Sequence, residues 1–376
     1  MLPIIQPVYG PEEEAAAVAA MRSGWVTQGP RVAEFERNLA VLIGTPHAVA
    51  TTSATTALHL ALHVAAIGPG DDVVVPSLSF VASTNAVWMV GARPVFADVD
   101  AQVPNVTVET LEAVWTKATR AVVAVHQLGV PFDREGVAAL CQQRGAVLVE
   151  DAACAIGSLH RGRPIAEGAA LSVFSFHPRK VLTVGEGGAI ATANGDWDAR
   201  LRRLRHHGMS VSDAARHGTA TREQYLEPAF NYRMTDIQAA IGVVQLGRLQ
   251  AIVAQRRALA ERYADLLADL TGATCLRVDA RDSWNVQTFC VRLQGSDAND
   301  ATVRDRVLAD LNAQGIGARR GVMAAHQEPA WAHRHERALP QTEAWAAQSL
   351  ALPLFHTMTE ADQQTVVAAV QKAMKG

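Results

Sequence analysis

Between residues 47 and 193, short apolar runs rich in β-branched residues alternate with longer stretches of helical periodicity. That alternation is the pattern of a mainly parallel sheet covered by helices on both faces. The predicted strands are VVVPS (Val73–Ser77), PVFADV (Pro94–Val99), AVVAVHQ (Ala121–Gln127), AVLVEDA (Ala146–Ala152), SVFSF (Ser172–Phe176) and GGAIATA (Gly187–Ala193). Between them TALHLALHVAAIG is helical and stops at Gly68-Pro69-Gly70, which cannot continue a helix; ASTNAVWMVGA and REGVAALCQQRGA end at glycine in the same way. Residues 20 to about 240 therefore read as one doubly wound α/β domain. From Ile237 to Leu270 one long helical pattern follows, with a single break expected near Gly247. Beyond it TFCVRL predicts a strand, VRDRVLADLNAQG a helix, and Glu360–Met374 a last helix. The expected division is a large domain over 1–245, including an N-terminal segment, and a small C-terminal α/β domain over 246–376.

Composition narrows the chemistry by exclusion. The 376 residues, 49% hydrophobic, are enough for a large core, and a formal net charge of -3 from 34 basic and 37 acidic side chains gives no field that would gather nucleic acid or an anionic membrane. The start MLPIIQPVYGPEEE has no basic segment followed by an apolar one, and no apolar run reaches the roughly 18 to 20 residues that span a bilayer. A cytoplasmic enzyme of small-molecule chemistry is the expectation. Cys141, Cys154, Cys275 and Cys290 form no C-x-x-C pair, so neither a zinc site nor a disulfide framework is expected.

Nucleotide fingerprints are missing: the chain has neither G-x-G-x-x-G after a strand nor G-x-x-x-x-G-K-[ST], and also lacks G-x-S-x-G and H-E-x-x-H. Three segments form another pattern. Thr52-Ser53-Ala54-Thr55-Thr56 falls where a strand ends and a helix begins, which places hydroxyls and free N–H groups at a helix N-terminus; this suits a phosphate cradle, although taken alone such a start is usually a plain N-cap. Asp151 ends an apolar strand, at the edge where open α/β sheets bind ligands, and an acid there can keep a pyridinium nitrogen protonated or simply cap the next turn. In FSFHPRKVLTVGEGG, Lys180 lies just past a strand and is followed by Gly185, Gly187 and Gly188; a desolvated lysine there can form a Schiff base.

With these segments the chain resembles the DegT/DnrJ/EryC1/StrS sugar aminotransferases, of the PLP-dependent transferase fold type I. The resemblance runs almost end to end through GWVTQGPRVAEFE, IGPGDDVVVPSLSFVASTNAV, GARPVFADVD, VEDAACAIGS, FSFHPRKVLTVGEGG, LRHHG, FNYRMTDIQAAIG and LPLFHTMT, in the family's order. It implies pyridoxal 5'-phosphate as cofactor, held by Lys180, with Asp151 facing the ring nitrogen and Phe80 stacked on the ring. Ser53, Ala54, Thr55 and Ser175 would contact the phosphate, and Asn231 would reach a partner's phosphate across a homodimer. The implied reaction moves an amino group from an amino-acid donor, L-glutamate, to a keto-sugar, nucleotide-linked in the family's usual case, or to a related keto or aldehyde acceptor, with Lys180 as the proton shuttle.

Four positions depart from the family pattern. Ala54 replaces a frequent glycine, and Cys154 stands beside the ring where Gln or His is frequent. In GIGARRGVMAAHQEPAW, Arg319-Arg320 replaces a frequent histidine-tyrosine pair, so Arg319, Arg320 and His326 are the candidate substrate contacts. Two other readings stay open at this point. A sugar dehydratase of the same fold would carry histidine in place of Lys180, and a non-catalytic regulatory homologue would need no filled catalytic positions.

Overall fold

The computed structural model describes residues 1–211, 222–333 and 337–375. Its large sheet has seven strands: β1 (His47–Thr51), β2 (Asp72–Pro76), β3 (Arg93–Ala97), β4 (Thr119–Val125), β5 (Val147–Asp151), β8 (Leu171–Ser175) and β9 (Gly188–Thr192), with the two-residue strands β6 (Leu159–His160) and β7 (Arg163–Pro164) making a separate hairpin. The order is β1-β9-β8-β5-β4-β2-β3, parallel from β8 to β3, with β9 antiparallel to both of its neighbours. Strands β2, β8 and β9 are buried along their whole length, which is why apolar residues occupy both faces of each and no exposed polar position alternates with them. Helices cover both faces. Helix Ala54–Val64 buries Leu58, Leu60 and Leu62 on one side, while Pro30–Leu42 brings Phe35 and Leu39 to the other.

Helix Asp236–Leu266 runs unbroken for 31 residues. The break expected near Gly247 does not occur, because this glycine faces open space and the helix needs no side chain there. By length and composition this helix could cross a membrane, but Ala239, Leu249, Ile252 and Val253 lie in the core of the large lobe, and Ala260 and Tyr263 in that of the small one. Position 245 thus falls inside a helix that both lobes share.

The small lobe is a four-stranded antiparallel sheet in the order β10 (Ala273–Cys275), β11 (Phe289–Leu293), β13 (Ser349–Leu352), β12 (Arg319–Arg320), backed by helices Thr302–Ala313 and Glu360–Lys375. The extreme N-terminus belongs to this lobe: the Leu2 N–H donates to the Gly315 carbonyl at 2.9 Å, Gly317 N–H to the Leu2 carbonyl at 2.7 Å, and Leu354 N–H to the Ile4 carbonyl at 3.0 Å. It therefore lies apart from the large domain to which the sequence pattern assigned it.

Candidate active site

Strands β1, β2, β5 and β8 all end at the same edge of the large sheet, and β9 begins there because it runs the other way. Every segment singled out in the large lobe except Asn231 lies directly at this edge. At the end of β1, Ser53 caps helix Ala54–Val64: its Oγ accepts from the Thr56 N–H at 3.2 Å, and the first turn-to-turn bond is Ala57 N–H to the Ser53 carbonyl at 3.1 Å. The N–H groups of Ala54 and Thr55 precede that bond and point out of the helix end, so they are available to an anion. Ser175 pairs with Gly188 across β8 and β9, and a methyl group on Gly188 would stand 2.3 Å from Ser53 C and 2.5 Å from Ala54 N. The absence of a side chain at Gly188 lets β9 close directly onto the cradle and brings Ser175 beside it.

At the end of β5 Asp151 is 4% exposed. Ser83 Oγ donates to its Oδ2 at 2.7 Å and the Ala153 N–H to its Oδ1 at 3.1 Å. One residue earlier Glu150 points to the opposite face, as strand alternation requires, and meets His126 Nε2 at 3.1 Å and Arg134 Nε at 3.0 Å. Burial alone would raise the Glu150 carboxyl, but the bonds and charges of His126 and Arg134 hold it below the usual range. Burial also lowers the pKa of His126.

Lys180 is half-buried in the turn between β8 and β9, and its Nζ lies 3.0 Å from Cys154 Sγ. This contact joins the β5 end to the lysine turn, so the amine stands over the loop that Asp151 begins. Phe80, after β2, is 61% exposed and presents an aromatic face at the same edge. Asn231 is exposed on a segment bridged to His206; the carbonyl of its neighbour Tyr232 accepts the Thr52 N–H at 3.0 Å.

The small-lobe residues separate. Arg319 and Arg320 are consecutive in β12 and face opposite ways: Arg319 is half-buried and Arg320 exposed. Burial lowers the pKa of Arg319, and so does the charge of Arg179, while Cys154 acts in the other direction; Arg319 thus sits toward the lysine turn. His177 is lowered by burial, partly countered by Glu186, and further by Arg179, Lys180 and Arg319. His326 departs from the expectation of a substrate contact. It is buried, its Nδ1 is 2.6 Å from Ser77 Oγ and its Nε2 3.5 Å from Glu343, so both ring nitrogens are engaged in tying the small lobe to the turn that carries Phe80. Asn285 and Gln287, which reach the same loops from the small lobe, went unnoticed in the sequence because they lie just before the TFCVRL strand with no motif around them.

This chain is similar over its full length to solved aminotransferases. TlmJ from Streptoalloteichus hindustanus shares 34% identity at a TM-score of 0.92, covering 100% of this chain and 99% of that one. Spr1654 from Streptococcus pneumoniae, solved in PMP and PLP forms, matches in the PMP form at 26% identity and TM-score 0.94 with 100% and 99% covered. PseC from Helicobacter pylori, an aminotransferase of pseudoaminic acid biosynthesis, matches at 25% identity and TM-score 0.92 with the same coverage. The model of the DegT/DnrJ/EryC1/StrS aminotransferase family matches residues 7–371. With that match and this fold, the chain belongs to the DegT/DnrJ/EryC1/StrS family and is a pyridoxal-phosphate-dependent aminotransferase.

Proposed function

We propose that the enzyme transfers an amino group from an amino-acid donor, L-glutamate, to a keto-sugar carried on a nucleotide, and that Lys180 and Asp151 perform the chemistry. The observation that carries this reading is the Lys180–Cys154 contact: it sets a primary amine over the loop that starts at a buried, hydrogen-bonded carboxylate. The groups fit the cofactor. The open N–H groups at Ala54 and Thr55, with Ser53 and Ser175, suit a phosphate; Asp151 suits a protonated ring nitrogen; and the exposed ring of Phe80 suits a flat heterocycle. Bound pyridoxal phosphate supplies the electron sink for proton removal at the donor carbon. Asp151 stabilises charge at the ring nitrogen, and Lys180, once free, takes the proton from the donor carbon and returns one to the product.

Cys154 Sγ, where relatives have Gln or His, would face the ring's substituents as a weak hydrogen-bond partner. Arg319 supports an anionic substrate, because a half-buried guanidinium near Arg179 and Cys154 is poised for a carboxylate or phosphate. Asn231, exposed near the cradle, is proposed to act across a cytoplasmic homodimer. Lysine at position 180 argues against the dehydratase reading, and the filled catalytic positions against a regulatory one. The test is to convert the protein to its pyridoxamine form and follow recovery of the pyridoxal spectrum with nucleotide keto-sugars, free keto-sugars and aliphatic aldehydes. Recovery with nucleotide keto-sugars alone supports the proposal, and recovery only with aldehydes overturns it.

A further inference from the structure

The backbone at Lys180 is held from outside its own turn. The side-chain amide of Gln287 accepts from the Val181 N–H at 3.0 Å and donates to the Arg179 carbonyl at 2.5 Å. Those partners fix which end of the amide is oxygen, since an N–H can only donate and a carbonyl only accept. The two bonds fall on the peptide planes immediately before and after Lys180, and the relative orientation of those planes is set by φ and ψ of Lys180 alone. One side chain therefore spans the two soft torsions that aim the lysine.

Gln287 is firmly seated. It is 5% exposed, and its N–H donates to Asn285 Oδ1 at 2.9 Å, while Asn285 Nδ2 donates to the carbonyls of Cys154 and Ile156, both at 2.8 Å. Gly129 leaves room for this: a methyl group there would stand 2.0 Å from Asn285 Oδ1 and 2.8 Å from the Cys154 carbonyl. Between the two amides, Val286 is fully buried with φ of 51°, a conformation that a β-branched residue keeps only where its surroundings impose it. The buried guanidinium of Arg256 imposes it, donating to the Val286 carbonyl at 3.0 and 2.8 Å, to that of Gln287 at 2.9 Å and to that of Leu354 at 3.1 Å. The same short strap thus holds the Cys154 turn and the Lys180 turn in fixed relation.

We propose that Gln287 is a positioning residue for the reaction: by bridging Arg179 and Val181 it fixes the direction in which Lys180 delivers its amine. This rests on the reading of Lys180 as the cofactor's lysine. The experiment uses the pyridoxal-phosphate-loaded enzyme and the variants Gln287→Ala and Gln287→Glu, the second keeping shape and an acceptor for Val181 while losing the donor to Arg179. Two readouts are taken per mole of bound cofactor: the pH midpoint of the visible band of the cofactor–lysine bond, and kcat separately from KM. The expected result is a midpoint displaced by at least about half a unit and kcat lowered about tenfold or more with KM within about twofold.

Should Gln287→Ala not fold, Gln287→Glu decides. A wild-type midpoint and kcat in the folded variants, or losses that only track the folded fraction seen by circular dichroism, overturns the role of Gln287. Borohydride reduction and peptide mapping of the wild type separate the two claims. A label away from Lys180 overturns the lysine assignment, whereas a label on Lys180 with unaffected variants overturns Gln287 alone.

Discussion

Ser83 Oγ donates to Asp151 Oδ2 at 2.7 Å, reaching across β4 from helix Ala82–Met89, and Ser79 Oγ lies a further 3.1 Å behind it. Both serines are buried, so the carboxylate is aimed by groups that water does not replace. Ser83→Ala is expected to leave the Asp151 carboxylate less firmly oriented, lowering kcat about tenfold, a hydrogen bond to a charged group being worth about 1.5–3 kcal/mol. Asp151→Asn should cost about a hundredfold or more, with a smaller change in cofactor affinity. Steady-state kinetics on cofactor-saturated protein checks both, and near wild-type turnover in Asp151→Asn would make Asp151 a structural residue.

Gly188→Ala tests the cradle. The new methyl group would meet the main chain of Ser53 and Ala54 rather than a movable side-chain tip, so the helix start must be displaced. Titration with pyridoxal phosphate should show affinity weakened about tenfold or more, about 1.4 kcal/mol, in protein whose circular dichroism is unchanged. Unaltered affinity would place the phosphate elsewhere.

The two arginines of β12 should behave differently. Arg319→Gln is expected to raise KM for an anionic substrate about tenfold, while Arg320→Gln, on the exposed face, stays within about twofold. Equal KM values for both variants and the wild type would leave substrate recognition to other residues.

His59 gives a pH dependence of stability. Its pKa is lowered to about 4, by burial first and then by the charge of His63, and its Nδ1 lies 3.1 Å from Tyr232 Oη. The unfolded chain takes up this proton before the folded one does, so stability should decline as pH falls from about 6.5 and level off below about 4. Melting temperatures across that window should fall less steeply for His59→Gln than for the wild type.

The alternation of strand-like and helical segments made the large sheet legible, since β2, β8 and β9 are buried on both faces and carry apolar residues on each. It could not show that β9 runs backwards, because orientation leaves no trace in composition. Helices Pro11–Arg22 and Pro30–Leu42 and the short strands β10, β12 and β13 escaped the reading, the strands being only two to four residues long. Lys180, Asp151 and the Ser53 cradle stood out because each falls at an element boundary. Gln287 and Asn285 did not, since their meaning lies in main-chain partners more than 100 residues away in the sequence.

The hydrogen bonds of Leu2 and Ile4 to residues 315, 317 and 354 also constrain when the protein can finish folding. During synthesis Leu2 and Ile4 leave the ribosome long before the strands and loops that will receive them. The large sheet, complete by Thr192, can assemble while the chain is still growing, whereas the small lobe must wait for the strand Ser349–Leu352 and for Leu354. Nascent chains stalled near residue 300 should therefore hold a protease-resistant large lobe and a segment around Leu2 and Ile4 that is still open to cleavage.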